Sequence, residues 1–216
     1  MNEHWQQMPV VRGFDTLQPL YECIDGRGYV AGSYAAFMAY GGDTPILPND
    51  IDVFATTEQH AYKLADDIDM KLNYFMESSN DTAYTLTSFT GLPGIQVVRP
   101  NPNWKVWPDD ILSDFDLDIC RAVLISPNTV IADEHASWSR GKLLRINNPL
   151  RSLKRVMKYA ARGVEFDDHE LLKLFQSWDQ VSTERKEAMI AIAAKELNAV
   201  DAPADYYSGD DWFEGE

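Results

Sequence analysis

The sequence predicts an α/β fold in which a mixed sheet is flanked by helices and followed by a helical annex. Strand-like, β-branched runs alternate with segments of helical apolar spacing in residues 1–146, the predicted head. From residue 148 onward the apolar spacing is helical only, which defines a neck and annex of residues 147–200. Residues 201–216 hold six acids and no base, and this break in composition predicts a separate acidic tail.

Helices and strands of the head are predicted from their spacing and their turn residues. Apolar residues at helical spacing, among them Leu64 and Ile68, predict a helix over 57–75. β-branched residues predict the strand that contains Ile51 and Val53. The other predicted elements are, in order, a helix in 14–25, a strand in 28–31, a helix that ends at Gly41-Gly42, strands in 83–89 and 94–100, a loop in 101–110, a short helix in 109–114 and a strand in 116–125.

The annex is predicted to consist of helices. Their apolar positions recur at helical spacing over residues 149–162, 169–178 and 183–198. Asp167 and Glu170 form the sequence pattern of a capping box in front of the second helix.

Composition excludes several classes of protein. The chain has 216 residues, of which 45% are hydrophobic and 25% are charged, as in ordinary globular proteins. It contains no apolar run of roughly 20 residues and no apolar stretch near its start that is typical of a signal peptide, so we expect a cytoplasmic protein without membrane contact. Cys23 and Cys120 lack metal-type spacing and the four histidines are scattered, which argues against a zinc site and favours reduced thiols.

Charge is distributed unevenly along the chain. The formal net charge of −15 argues against a general nucleic-acid coat, because phosphate binding needs a basic face. Between Arg140 and Arg162, however, there are eight bases and no acid, so this segment is suited to anions.

The strongest chemical motif combines Gly32-Ser33, a following helix and the pair Asp50 and Asp52. Alternation along a strand places the two aspartates on one face, about 7 Å apart, where they can share divalent cations. A Gly-Ser turn at a helix N-terminus offers N–H groups and a hydroxyl to a phosphate. Phosphoryl or nucleotidyl transfer needs both an anion site and metal-binding carboxylates.

With these motifs the chain resembles the nucleotidyltransferase superfamily, in particular the head and neck of CCA-adding tRNA nucleotidyltransferases and poly(A) polymerases. The resemblance covers residues 28–163. Residues 114–123 are similar to a strand motif of that family, and residues 147–163 are similar to its neck helix. It implies that Arg151 helps to read the incoming base, whereas the family's acidic residue is replaced at Asn147-Asn148.

A third carboxylate is missing from its expected place, because the strand in 94–100 carries Gln96 there. Asp116 or Asp118 could supply it instead, or both could simply cap the start of the next strand. We predict Asp50 and Asp52 as metal ligands and, with Asp116, as catalytic residues. The predicted nucleotide-binding residues are Gly32, Ser33, Asp118, Arg151, Lys154, Arg155 and Lys158.

A basic stripe follows the predicted neck helix. Arg151, Lys154, Arg155, Lys158 and Arg162 share one face, and the apolar side is formed by Leu150, Leu153, Met157 and Ala161. The stripe is either a solvated face or a phosphate site, and the absence of acids favours phosphate binding.

Three other features carry alternatives. Arg99 either joins the phosphate site or covers a sheet edge, and Trp104 and Trp107 either stack on a base or pack on the core. Among the acids of the tail, Tyr206, Tyr207, Trp212 and Phe213 are consistent with a disordered end, with docking on a partner, or with folding back on the basic helix.

The resulting functional prediction is a nucleotidyltransferase that uses Mg²⁺ or Mn²⁺ to move a nucleoside monophosphate from an NTP to a hydroxyl. An RNA 3′ end, a small molecule and a protein side chain all remain open as acceptors. The alternative is an inactive nucleotidyltransferase-like protein that binds a nucleic-acid-binding partner through its acidic surface and tail.

Overall fold

A computed structural model describes residues 5–10, 18–40, 48, 50–100, 107–137 and 139–199. The predicted helix end at Gly41-Gly42, Trp104 and the acidic tail lie outside the described residues. None of the helices in these ranges is long and apolar enough to cross a membrane.

Eight strands form one mixed sheet with the spatial order β1-β8-β7-β2-β3-β6-β5-β4. The pair β3–β6 is parallel, and the other described pairs are antiparallel. The strands are β1 (Trp5–Pro9), β2 (Gly28–Ala31), β3 (Asp50–Ala55), β4 (Tyr74–Ser79), β5 (Ala83–Ser88), β6 (Gly94–Val98), β7 (Ala122–Ser126) and β8 (Thr129–Asp133).

Seven helices occur in the described part of the chain. They are α1 (Gln18–Ile24), α2 (Ser33–Tyr40), α3 (Glu58–Leu72), α4 (Pro108–Asp114), α5 (Pro149–Ala160), α6 (Asp168–Asp179) and α7 (Thr183–Ala199). The mixed α/β class and the order of the helices confirm the prediction.

The two faces of the sheet have different environments. On one face, Ile51 and Val53 of β3 pack in the main hydrophobic core with residues of α1, α2 and α3. On the other face, Ile111 and Leu112 of α4 pack against Ala31 and neighbouring residues of β7 and β8. Along β3 the side chains alternate between buried and half-buried, so Asp50 and Asp52 point away from the main core.

The strands β1, β4 and β8 were not predicted from the sequence. β4 is an edge strand in which only Tyr74 is buried, so it lacks the alternation that marks a half-buried strand. The predicted strand over 116–125 was also partly wrong, because Asp118–Cys120 form a 3-10 turn before β7 begins. There the Asp118 carboxylate accepts the Ile119 N–H, and such a local bond competes with strand pairing.

A second hydrophobic cluster joins the end of the head to the annex. It contains Leu117 and Ile119 from the segment before β7, Val156 and Tyr159 from α5, and Leu174 from α6. The predicted boundary between residues 146 and 147 therefore falls just before a helix that is packed on the head.

Candidate active site

Gly32 brings the two parts of the sequence motif together. It follows β2, whose last residue Ala31 is paired with Asp52 of β3. Its φ of +77° is in the left-handed region that favours glycine. A Cβ at this position would lie 3.0 Å from Asp52 Oδ2 and 3.5 Å from the Phe115 ring. The Asp52 carboxylate therefore contacts the turn from which α2 starts.

The helix α2 begins immediately after this turn. The Gly32 carbonyl accepts the N–H of Ala36, which is the first helical bond, and the Gly32 N–H donates to Ala122. N–H groups in the first turn of a helix lack intrahelical acceptors, and the helix dipole adds positive potential there. An anionic group near Asp52 would thus meet the positive end of α2.

Asp50 and Asp52 share the half-buried side of β3. The parallel neighbour β6 places Gly94 beside Asp50 and Gln96 beside Asp52. Gln96 is only 7% exposed and provides an amide where a third carboxylate was expected. Two carboxylates on one face next to a helix N-terminus supply the hard oxygen ligands that Mg²⁺ prefers, so the residues present fit a divalent metal.

A different group has the spacing of three metal ligands. Among the described residues, ligand atoms of Asp167, His169 and Glu170 lie within 4.8 Å of one another at the start of α6. Two of these residues form salt bridges with basic side chains. Arg140 contacts Asp167 at 2.8 Å, and Lys173 contacts Glu170 at 2.8 Å. Glu170 also accepts the backbone N–H of Leu143, which indicates a structural role.

Asp116 is buried and joins the head to α5. Its Oδ2 accepts the Ser152 hydroxyl at 2.9 Å, and its Oδ1 accepts Arg155 Nη1 at 2.8 Å. Both carboxylate oxygens therefore have partners on α5. Its predicted catalytic role remains a prediction, and the contacts describe an attachment point of the neck helix.

Asp118 is also buried and stabilises a turn. Its Oδ1 accepts the N–H groups of Ile119 and Lys142, both at 2.8 Å. Burial raises the pKa of Asp118 to about 6, the nearby Asp133 contributes to the increase, and the two N–H donors oppose it. These contacts do not test its predicted role in nucleotide binding.

Tyr159 of α5 packs against the head and gave no signal in the sequence. Cys120 Sγ donates to the buried Tyr159 hydroxyl at 3.1 Å, and the Ser33 side chain of α2 is near enough to oppose the rise in the pKa of Tyr159. Burial raises the pKa of Tyr159 well above its ordinary value. A tyrosine in a predicted helix gave no signal of this contact, because the contact depends on the position of α5 against α2.

The basic stripe is divided by the packing of α5. Arg151, Lys154 and Lys158 are exposed, whereas Arg155 is half-buried against Asp116. The apolar side expected to oppose the stripe is largely exposed, with Met157 64% accessible. The buried residues are Pro149, Ser152, Val156 and Tyr159. The bond from Ser152 to Asp116 and the bond between Cys120 and Tyr159 fix the rotation of the helix, and apolar spacing alone does not report them.

The departure at Asn147-Asn148 has a structural explanation. Asn148 caps α5, since its side chain accepts the N–H of Arg151 at 3.0 Å. Asn147 accepts Arg145 Nε at 2.9 Å. Asparagine is among the preferred residues at a helix N-cap, so the pair supports the start of the neck helix.

Arg99 lies on the opposite face of the sheet from Asp50 and Asp52. Its guanidinium is 4.3 Å from the centre of the Tyr84 ring and 3.5 Å from a Glu58 carboxylate oxygen at the start of α3. It therefore covers the core face rather than joining the phosphate site. Trp107 is exposed just before α4.

Comparison with solved structures identifies the architecture. A tRNA nucleotidyltransferase complexed with a primer tRNA and an incoming ATP analogue is 13% identical, with a TM-score of 0.50 over 74% of this chain and 50% of that chain. A tRNA-processing enzyme in an apo form is 13% identical, with a TM-score of 0.57 over 82% of this chain and 53% of that chain. A CCA-adding enzyme with CTP is 15% identical, with a TM-score of 0.55 over 86% of this chain and 49% of that chain.

The chain has a nucleotidyltransferase-like fold. This result confirms the predicted fold class and the resemblance to the head of CCA-adding enzymes. The chain spans about half the length of these solved structures. No protein-family model and no curated protein sequence matches it. At such low sequence identity, the similarity to these structures establishes the fold alone. The roles of individual residues remain predictions.

Proposed function

We propose that the protein is a metal-dependent nucleotidyltransferase that moves a nucleoside monophosphate from an NTP to a hydroxyl acceptor. The observation that carries the proposal is the position of Asp52 beside the Gly32 turn at the start of α2, where an added Cβ would lie 3.0 Å from Asp52 Oδ2. In the proposal, Asp50 and Asp52 bind the metal and the start of α2 binds phosphate. The fold likeness to enzymes solved with an ATP analogue and with CTP supports the same conclusion.

In this proposal Asp50 and Asp52 hold Mg²⁺ or Mn²⁺. The metal would supply positive charge at the transferred phosphorus and would lower the pKa of the acceptor hydroxyl. Gly32, Ser33 and the first turn of α2 would bind phosphate oxygens through N–H groups. Arg151, Lys154 and Lys158 of α5 would add positive charge to the phosphate site, and the packing of this helix against Asp116 and Cys120 of the head supports this part of the proposal.

The chemical step follows from these positions. The acceptor oxygen forms a bond to the α-phosphorus while the bond from that phosphorus to the α–β bridging oxygen breaks. The bridging oxygen keeps the electron pair and leaves with pyrophosphate. The acceptor proton passes to a carboxylate oxygen of Asp50 or Asp52. Positioning and charge stabilisation account for most of the catalysis in such transfers.

The alternative is an inactive binding protein, and Gln96 is the observation that favours it. Gln96 beside Asp52 carries an amide, which adds no negative charge. The strands β3 and β6 therefore supply two carboxylates to the site, where three were expected. Its partner would be a nucleic-acid-binding protein that contacts the acidic surface of the chain.

One experiment separates the two. The protein is incubated with each α-labelled NTP, with Mg²⁺ or Mn²⁺, and with a cell extract, and the labelled fraction is isolated. We expect label on an acceptor in the wild type and none in the Asp52→Asn variant. Absence of label with every NTP, together with no Mg²⁺·NTP-dependent rise in melting temperature, would support the binding protein.

A further inference from the structure

Four strands share the face of the sheet on which Asp50 and Asp52 lie. Moving outward from β3, the next strands are β6, β5 and the edge strand β4. Gln96 of β6 is paired with Thr85 of β5, and Thr87 is paired with Phe75 of β4. Because side chains two residues apart share a face, the half-buried hydroxyls of Thr85 and Thr87 lie on the same side as Asp52.

Gly94 marks the inner end of this face. Gly94 lies beside Asp50. Among the described atoms, a Cβ on Gly94 would meet only the backbone oxygen of Leu86 within 4 Å, at an ordinary contact distance of 3.5 Å. A group that rests on Gly94 could therefore approach the Asp50 carboxylate closely.

Two aromatic rings form the outer end. The centroids of Phe75 and Phe89 are 4.7 Å apart, and Phe89 is 71% exposed. The register of β4 shifts between Met76 and Ser78, which makes Glu77 the extra residue. Its carboxylate accepts the hydroxyl of Thr87, so it lies on the same face as the rings. An exposed aromatic pair beside a carboxylate is suited to a ligand with an apolar side and a positive charge.

Charge on the outer part of this face disfavours a nucleic-acid backbone. Asp50 and Asp52 belong to the proposed metal site, and beyond them the described charged side chain that β6, β5 and β4 place on this face is Glu77. The exposed bases Arg151, Lys154 and Lys158 lie on α5 instead. Binding of a nucleic acid requires bases along the path of its backbone, whereas a carboxylate attracts a cation.

The dimensions limit the ligand further. Three strand spacings separate β3 from β4, which corresponds to about 14 Å between Asp50 and the aromatic pair. We propose that this face binds the acceptor, and that the acceptor is a hydroxyl-bearing organic cation of two or three rings. The proposal rests on the proposed function, since it assigns the acceptor of the same site. An acceptor hydroxyl over Gly94 would lie beside Asp50, with an amine at Glu77 and a ring against Phe89.

Binding of defined probes to the full chain tests this proposal without catalysis. Titration calorimetry in the absence of NTP uses kanamycin as an amine-bearing probe of this size, raffinose as a neutral trisaccharide, and a ten-residue oligoadenylate as the nucleic acid. We expect saturable binding of kanamycin only. Glu77→Gln and Phe89→Ala should each weaken it at least tenfold.

Matched controls come from exposed positions on other elements. Phe175→Ala on α6 removes a ring that is 69% exposed, and Glu165→Gln removes an exposed carboxylate. We expect both to change the kanamycin affinity by less than twofold. Equal weakening by the control variants, or no saturable kanamycin binding, would overturn the proposal. Oligoadenylate binding that is lost in Phe89→Ala would also overturn it, in favour of a nucleic-acid acceptor.

A separate measurement distinguishes this outcome from failure of the proposed function. The rise in melting temperature on addition of Mg²⁺ and ATP reports binding of metal and nucleotide, and it does not depend on the acceptor. If that rise is present while kanamycin binding is absent, only the assignment of the acceptor is wrong. If the rise is absent for every NTP, the proposed function is wrong, and the assignment of the acceptor is then wrong as well.

Discussion

Two Asp-x-Asp pairs in this chain have the same spacing and opposite environments. Asp50 and Asp52 lie on a strand, half-buried, with one carboxylate against the Gly32 turn. Asp116 and Asp118 are buried, and their oxygens accept bonds from Ser152, Arg155 and two backbone N–H groups. The comparison shows that spacing alone does not identify a metal pair. The donors to Asp116 and Asp118 come from α5 and from the backbone, so these two carboxylates hold parts of the fold together.

The largest effect should come from the first pair. Asp50→Asn and Asp52→Asn each remove a ligand charge from the proposed metal site, so turnover should fall roughly a thousandfold or more. The free energy of unfolding without metal should stay within about 0.5 kcal/mol or increase, because repulsion between the two carboxylates is relieved. Initial rates and melting curves with and without Mg²⁺·NTP measure both effects.

Asp66→Asn on the exposed side of α3 is the control for this prediction. It should preserve both the rate and the ligand-induced rise in melting temperature. A full rise in both Asp50→Asn and Asp52→Asn would show that these residues do not bind the metal.

The second pair should respond in the opposite way. Asp116→Ala leaves the buried Ser152 hydroxyl and the half-buried Arg155 without their acceptor, so we expect a loss of about 2–4 kcal/mol in the free energy of unfolding. Urea denaturation measures it, and Asp66→Ala provides the comparison. A loss below about 0.5 kcal/mol would mean that the contacts between Asp116 and α5 contribute little.

Asp118 predicts a dependence of stability on pH. Its pKa of about 6 in the folded protein is above the value near 3.9 of an unfolded chain, so the folded state holds the extra proton between these pH values. Stability from this group therefore decreases as pH rises from about 4 to 6 and remains lower above pH 6. Of the neighbouring charged groups, Asp133 raises the pKa of Asp118 and Lys142 lowers it.

Asp118→Asn should remove this part of the pH profile while keeping an oxygen for the Ile119 and Lys142 N–H groups. Between pH 7 and pH 5 the wild type should gain about 1 kcal/mol relative to the variant. Urea denaturation at both pH values gives the difference. Parallel profiles for wild type and variant would show that Asp118 does not titrate in this range.

The smallest effect is expected on α5. The double variant Arg151→Glu/Lys158→Glu reverses two exposed charges that are proposed to bind phosphate, and it should weaken NTP binding roughly three- to tenfold. Lys63→Glu/Arg185→Glu changes the net charge equally at exposed positions on α3 and α7. Isothermal titration of Mg²⁺·ATP compares them, and equal weakening in both would indicate a bulk charge effect.

The comparison of the two pairs also shows what the sequence could predict. The proximity of Gly32 to the pair Asp50 and Asp52 could be predicted because the turn, the helix and the strand are each local sequence patterns. The pairing of β2 with β3 then brings them together. The partners of Asp116 come from α5, 36 and 39 positions later, and no local pattern reports such contacts. For the same reason the bond between Tyr159 and Cys120 and the exposure of Met157 were missed. β4 was missed because an edge strand with one buried residue has little periodicity.

The bond between Cys120 and Tyr159 makes the junction of head and neck measurable. Cys120 is buried under α5, and burial raises the pKa of its thiol to about 12. Alkylation requires an accessible thiolate, so a reagent such as iodoacetamide reacts only after α5 separates from the turn that precedes β7. The labelling rate of Cys120, distinguished from Cys23 by peptide mass mapping, thus reports how often the neck helix lifts from the head. Each such separation also breaks the bond between Cys120 and Tyr159, so the alkylation rate measures how firmly the neck helix is held on the head.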